Sequence, residues 1–116
     1  VSDCMLLLTG TEQGEMVVIE RTPTKHAIRR PENGCIIVTN DYILLADETA
    51  AATDSELEST SGGRFESVQS QLRKSRPGSV AECLPILRDA LVQMDITVQQ
   101  MAFSATTGEY IVRPVV

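Results

Sequence analysis

The sequence predicts an α+β chain in which an antiparallel sheet carries a pair of helices on one face. Three features point that way. β-Branched and apolar runs broken by turn residues fill residues 4–48, apolar positions at helical spacing take over across residues 63–93, and two extended segments joined by a glycine-containing loop occupy residues 97–114. Strands and helices are grouped rather than alternating, so an antiparallel sheet is expected in place of a parallel one. With 116 residues, 42% of them apolar, the chain can form a single domain with a modest core.

The elements follow in order. Residues 5–9 are an apolar strand, residues 11–14 a turn, and residues 15–21 (EMVVIER) a β-branched strand. After Thr22-Pro23-Thr24 comes a shorter extended piece over residues 26–30. Pro31-Glu32-Asn33-Gly34 then turns the chain into residues 35–39 (CIIVT), which read as a central strand. Asn33-Gly34 is a hairpin signal because both residues tolerate positive φ. Residues 46–61 are small, acidic and hydroxylated, without an apolar stripe, and read as a linker with room for a short helix.

From Gly63 onward, Phe65, Val68 and Leu72 recur at three and four residues, and Arg76-Pro77-Gly78 closes this helix. Ser79-Val80-Ala81-Glu82 has the capping-box pattern that starts a second helix. Its apolar positions are Val80, Cys83, Leu84, Leu87 and Leu91. Pro85 lacks the N–H an interior position needs, so this helix is expected to kink or split near Leu84. Residues 97–103, a loop at 104–108 and residues 109–114 form the closing hairpin.

Charge and composition remove several function classes. Ten basic against sixteen acidic residues give a net charge of -6, which disfavours nucleic acid as a partner. The cluster Lys25, His26, Arg29 and Arg30 reads as a solvated strand face, and Arg73, Lys74 and Arg76 complement a helix C-terminus. Cys4, Cys35 and Cys83 contain no C-x-x-C pair and the chain has one histidine, His26, so neither a disulfide framework, a metal site nor a serine triad is indicated. Cys35 and Cys83 read as core thiols, and Tyr42 and Tyr110 as strand aromatics. Asp47, Glu48, Asp54, Glu56 and Glu58 lack the spacing of a calcium loop. No cofactor is called for. No apolar run has the length of a membrane span and no signal peptide is visible, so a cytoplasmic location is favoured, though localisation stays open.

Asn40 has two readings. It ends the CIIVT run with Asp41, as turn residues do, or it places a primary amide at a strand end where its N–H can donate to a developing oxyanion.

A wider pattern surrounds it. Gly14 to Pro23 (GEMVVIERTP), then Pro31-Glu32-Asn33-Gly34, then Val38-Thr39-Asn40-Asp41-Tyr42 resemble the group of N-terminal-nucleophile hydrolases that includes penicillin acylase, bile-salt hydrolase, isopenicillin-N acyltransferase and acid ceramidase. In that group a strand ending E-x-T/S-P precedes an "N-G … T-N" strand. Ser61-Gly62-Gly63-Arg64-Phe65 resembles the group's Ser-x-Arg-Phe helix start, Ile86-Leu87-Arg88-Asp89 its I-L-R-D helix, and residues 98–112 its terminal hairpin. Order and spacing, rather than any one motif, carry the resemblance, which covers residues 12–114.

The resemblance implies a four-layered αββα fold in which an N-terminal cysteine attacks an amide carbonyl with its own α-amino group as base. The acyl-enzyme then passes to water or to another amine. Asn40 corresponds to the asparagine that holds the tetrahedral oxyanion. Arg64 corresponds to an arginine that favours the ionised nucleophile, its other reading being an ordinary first-turn helix residue. The group's nucleophilic cysteine, and the arginine and aspartate that follow it, have no counterpart in these residues. Cys4 is a poor substitute, because Met-Leu-Leu-Leu follows it where a small polar neighbourhood is expected.

Two functions follow as expectations. In the first, residues 1–116 are the C-terminal fragment of a larger αββα domain that acts on an N-acyl amide. An upstream segment or second chain supplies the cysteine, and this chain is inactive alone. In the second, the chain is a single, free-standing α+β binding or assembly module whose uncovered sheet pairs with a partner or with a second copy in a homo-oligomer. An exposed apolar edge at residues 5–8 would favour the first and a covered one the second.

Overall fold

Alternating side chains and short polar turns build the first strands. A computed structural model describes residues 3–48 and 59–115. β1 (Cys4–Thr9), β2 (Met16–Arg21) and β3 (His26–Arg29) form an antiparallel sheet in the order β1-β2-β3. Leu7 lies opposite Val18 and Val18 opposite Arg29, so these three side chains share a face with Met5, Glu20 and Ala27. The other face carries Leu6, Ile19 and Ile28 in one cross-strand row and Leu8 and Val17 in the next.

The turns follow the sequence signals. Thr22 closes the β2–β3 connection, its N–H donating to the Lys25 carbonyl at 2.9 Å while its hydroxyl accepts the Lys25 N–H at 3.0 Å. Asn33 and Gly34 adopt φ of 52° and 75°, and Glu32 and Cys35 exchange backbone hydrogen bonds of 2.9 and 3.0 Å across them. Two successive positive φ values define the type I′ hairpin turn that Asn-Gly favours.

Residues 36–39 depart from expectation. They are half-buried but have no regular secondary structure and join no ladder beyond the Glu32–Cys35 bridge, so CIIVT is not a central strand. A strand needs a neighbour for its N–H and C=O groups, and none of the described strands pairs with these residues. A 3₁₀ turn follows at Ala46–Glu48. Asp54, Glu56 and Glu58, with the rest of residues 49–58 of the expected linker, lie outside the described residues.

The chain divides into two compact units, Val1–Gly62 and Gly63–Val116. The second contains most of α1 (Ser61–Lys74), whose Phe65, Val68 and Leu72 are half-buried, and α2 (Leu84–Arg88), preceded by a 3₁₀ turn at Ala81–Cys83. The Ser79 hydroxyl accepts the Glu82 N–H at 3.3 Å, and the Glu82 carboxylate accepts the Gly78 N–H at 2.5 Å. The change from 3₁₀ to α at Leu84 places Pro85 in the first turn, where its missing N–H costs nothing.

The second helix was expected to run to residue 93 and ends at Arg88 instead. Asp89 takes an extended ψ of 137°, and its carboxylate accepts the Leu91 N–H at 2.9 Å and the Ser67 hydroxyl at 3.2 Å. The short acidic side chain thus competes with the helix for backbone donors.

β4 (Gln99–Phe103) and β5 (Tyr110–Pro114) form an antiparallel hairpin that is a separate two-stranded sheet, not part of the first. The single sheet expected from the sequence is therefore two sheets, within the same α+β class. Gln100, 8% exposed, ties the hairpin to the end of α2: its amide donates to the Leu87 carbonyl at 2.6 Å and its oxygen accepts from Arg113 at 2.6 Å.

Burial is unevenly shared. Among the described residues the buried apolar side chains are Val18, Tyr42, Val80 and Ala102, matched by the buried polar residues Glu20, Thr22, Ser61 and Gln100. Large apolar side chains face outward instead. Leu6, Leu7 and Leu8 on edge strand β1 are 44–51% exposed, and Met101, Phe103, Tyr110 and Val112, which share one face of the β4–β5 hairpin, are 43–68% exposed.

Candidate functional site

Asn40 lies in the first unit, at a bend that follows the unpaired residues 36–39, rather than at the end of a strand. The chain on either side of it is held by four buried or half-buried side chains.

Ser61 holds the residue itself. Its hydroxyl accepts the Asn40 backbone N–H at 2.8 Å and donates to the Thr39 hydroxyl at 2.8 Å, and the whole side chain is buried. Ser61 is the first residue of α1. A hydroxyl there can serve a neighbouring loop because the helix's own first N–H groups sit further along the chain.

Tyr42 anchors the next turn to the sheet. Its hydroxyl is directed at the carbonyl oxygens of Cys4, at 2.8 Å, and Arg21, residues that lie opposite each other at one end of the β1–β2 ladder. Burial pushes the phenol pKa up, and the charge of Asp3 adds to the effect. Tyr42 was expected to be a strand aromatic, but no strand includes it. Tyr110 does sit in β5, exposed.

Glu20 and Arg29 hold the flanks. The Glu20 carboxylate is fully buried and accepts the backbone N–H groups of Ile43 at 3.0 Å, Leu44 at 2.9 Å and Leu45 at 3.0 Å. Arg29, a diagonal neighbour on the adjacent strand, brings its Nε to 3.4 Å from the same carboxylate and donates from Nη2 to the Ile37 carbonyl at 2.7 Å. Arg29 therefore does not belong to a solvated strand face with Lys25, His26 and Arg30; it is inward-facing and ion-paired.

Arg64 belongs to the second unit, in the first turn of α1, and is half-buried. Asn40 and Arg64 are thus each defined within their own unit. Cys4, Cys35 and Cys83 are free thiols of intermediate exposure, so neither Cys35 nor Cys83 is the fully enclosed core residue expected. Burial, followed by the neighbouring Glu82 carboxylate, pushes the Cys83 thiol up, which opposes a nucleophilic role at neutral pH.

Among the described residues no group of three or more His, Cys, Asp and Glu side chains could hold a metal ion, and no helix is long and apolar enough to cross a membrane.

The sequence drew attention to Asn40 but not to the parts played by Glu20, Tyr42 and Ser61. A carboxylate that follows an apolar run and precedes an arginine looks like the polar end of a strand, and a helix-start serine looks like a cap. The available signal was their place in the quoted motifs, E-x-T-P, T-N-D-Y and S-G-G-R-F. No protein-family model, curated protein or solved structure matches the chain.

Proposed function

We propose that this chain is the C-terminal part of an amide-bond hydrolase or acyltransferase whose nucleophilic N-terminal cysteine comes from an upstream segment or a second chain. The observation that carries the reading is the fixed bend at Asn40. Thr39 and Asn40 are bonded to Ser61, Tyr42 to the carbonyls of β1 and β2, and Ile43 to Leu45 to Glu20, so three of the residues in the quoted motifs, Glu20, Tyr42 and Ser61, hold one short segment. An oxyanion donor acts well only when its position is set before charge develops, and such pinning supplies that.

In this reading the cysteine thiolate attacks the carbonyl carbon of an N-acyl amide and the carbonyl π electrons move to oxygen. The Asn40 side-chain N–H donates to that oxyanion. When the intermediate collapses the C–N bond breaks, the amine leaves with a proton from the cysteine's α-ammonium group, and the acyl group stays on sulfur. Water or another amine then attacks the thioester and restores the thiol. Arg64 lends positive charge near the nucleophile.

The exposed apolar surfaces support the incompleteness of the chain. Within the first unit Leu6, Leu7 and Leu8 lie exposed on edge strand β1, and within the second Met101, Phe103, Tyr110 and Val112 lie exposed on one hairpin face, each as a sheet awaiting a further partner would leave them. The same exposed edge and face favour the second reading, a free-standing assembly module, only if their partner proves unrelated to amide chemistry.

The test is Asn40→Ala in the complete enzyme, this chain together with the polypeptide that bears the cysteine. Turnover should fall by roughly 10² to 10³, the usual effect of removing one oxyanion donor. An unchanged turnover number removes Asn40 from the mechanism.

A further inference from the structure

Glu20 is the largest fully buried side chain among the described residues, and it is charged. Sheet packing alone gives no reason for this, since an apolar residue at the same position of β2 would avoid the desolvation of a carboxylate. The groups around it do. Three successive backbone N–H groups, from Ile43, Leu44 and Leu45, converge on the carboxylate at 2.9–3.1 Å, the arrangement of an anion-binding backbone nest. The guanidinium that balances its charge, Arg29, also holds the carbonyl of Ile37. Ile37 precedes Asn40 by three residues and Ile43 follows it by three.

We infer that Glu20 and Arg29 are a positioning pair that fixes the Asn40 segment from both sides, with the Glu20 carboxylate serving as the internal anion of a nest formed by residues 43–45. Arg29 holds the chain before the bend and Glu20 the chain after it. The pair's contribution to turnover rests on the reading of Asn40 as an oxyanion donor, whereas its hold on the segment rests on geometry alone.

Glu20→Gln in this chain tests the inference through residue-resolved amide hydrogen exchange. The variant keeps the side-chain shape, loses the charge and turns a donor group toward Arg29. Exchange at Ile43, Leu44 and Leu45 should quicken roughly tenfold or more, as loss of a charge-assisted hydrogen bond implies, and the Asn40 resonances should move. Exchange at Val18 and Ile19 in the β2 ladder should stay as it was. Unchanged exchange at residues 43–45 overturns the inference. So does loss of protection throughout the chain, which would make Glu20 a general stability residue.

Glu20→Ala gives an independent readout. Added formate should return the residue 43–45 and Asn40 resonances toward their native positions while chloride at equal ionic strength does not; no response to formate contradicts the nest. Turnover of the complete enzyme keeps the two claims apart. If Asn40→Ala leaves turnover intact while Glu20→Gln still releases the segment, the enzyme reading falls and the positioning pair stands. If Glu20→Gln leaves the segment in place, the pair falls whatever Asn40 does.

Discussion

The backbone N–H of Asn40 donates to the Ser61 hydroxyl at 2.8 Å across 21 positions of sequence, and the same hydroxyl donates onward to Thr39 at 2.8 Å. One buried serine thus connects the bend that presents Asn40 to the start of a helix. Ser61→Ala removes the acceptor and the donor together and leaves polar groups beside a buried methyl. The variant should be about 1–3 kcal/mol less stable in urea denaturation, the cost of unsatisfied buried groups. A change within error would mean that water replaces the hydroxyl freely and that the bend is not held there.

Tyr42 gives a pH dependence with a definite sign. Its phenol must remain neutral to donate to the carbonyls of Cys4 and Arg21, and burial together with Asp3 raises its pKa above the ordinary 10.0. A folded-state pKa above the unfolded one contributes stability that is complete below about pH 10 and is lost as pH rises through the folded value. Tyrosinate absorbance in a Tyr110→Phe background should therefore show Tyr42 ionising above pH 10, together with unfolding of the first unit. Ionisation at the ordinary value with no structural change would contradict the anchor. Tyr42→Phe should cost about 1–2 kcal/mol at neutral pH.

The turn at Asn33-Gly34 predicts an asymmetry between neighbours. Gly34 has φ of 75° and Asn33 φ of 52°, a region that glycine occupies freely and asparagine tolerates. Gly34→Ala should destabilise by about 1 kcal/mol or more, while Asn33→Gly should change stability little. Thermal melts of the two variants compare them directly, and equal effects would count against the I′ geometry.

The exposed faces predict a separation of stability from association. Met101 and Val112 are opposite each other on β4 and β5 and are 50% and 43% exposed. Met101→Lys should shift the chain's own stability by no more than about 0.5 kcal/mol, as surface substitutions do. It should nevertheless suppress association of the chain with its companion, or with itself, in sedimentation velocity. A large loss of stability would show instead that this face is an internal contact of the chain.

Much of the local structure was legible because it depends on neighbours in sequence. The β1–β2 strands, the Asn33-Gly34 turn, the change of helix type beside Pro85 and the closing hairpin each follow from a few adjacent residues. The capping box expected at Ser79 forms only in part, with Val80 as the cap residue and Glu82 reaching Gly78. What failed depends on partners distant in sequence. Residues 36–39 have a strand's composition but no adjacent strand, and composition alone cannot supply one. Arg29 read as part of a solvated strand face, and only the fold brings it to the buried Glu20 carboxylate, which in turn meets residues 43–45. Asp89 ended a helix whose apolar spacing continued to Leu91, because its side chain found the Leu91 N–H. Asn40 was expected at the end of a central strand and lies at a bend instead, and the side chains that hold it, Ser61 among them, come from positions distant in sequence.

The central claim is that this chain completes an amide-cleaving enzyme whose nucleophile lies on another polypeptide or segment. Intact mass and a denaturing gel of the protein isolated from its natural source test it most directly, since they show what accompanies the 12.6 kDa chain. The account predicts a covalently continuous upstream segment or a co-purifying second polypeptide beginning with cysteine, with amide-cleaving activity in that material and none in the isolated chain. This chain found alone, folded and without such a companion, would contradict it and leave the free-standing assembly module as the working description.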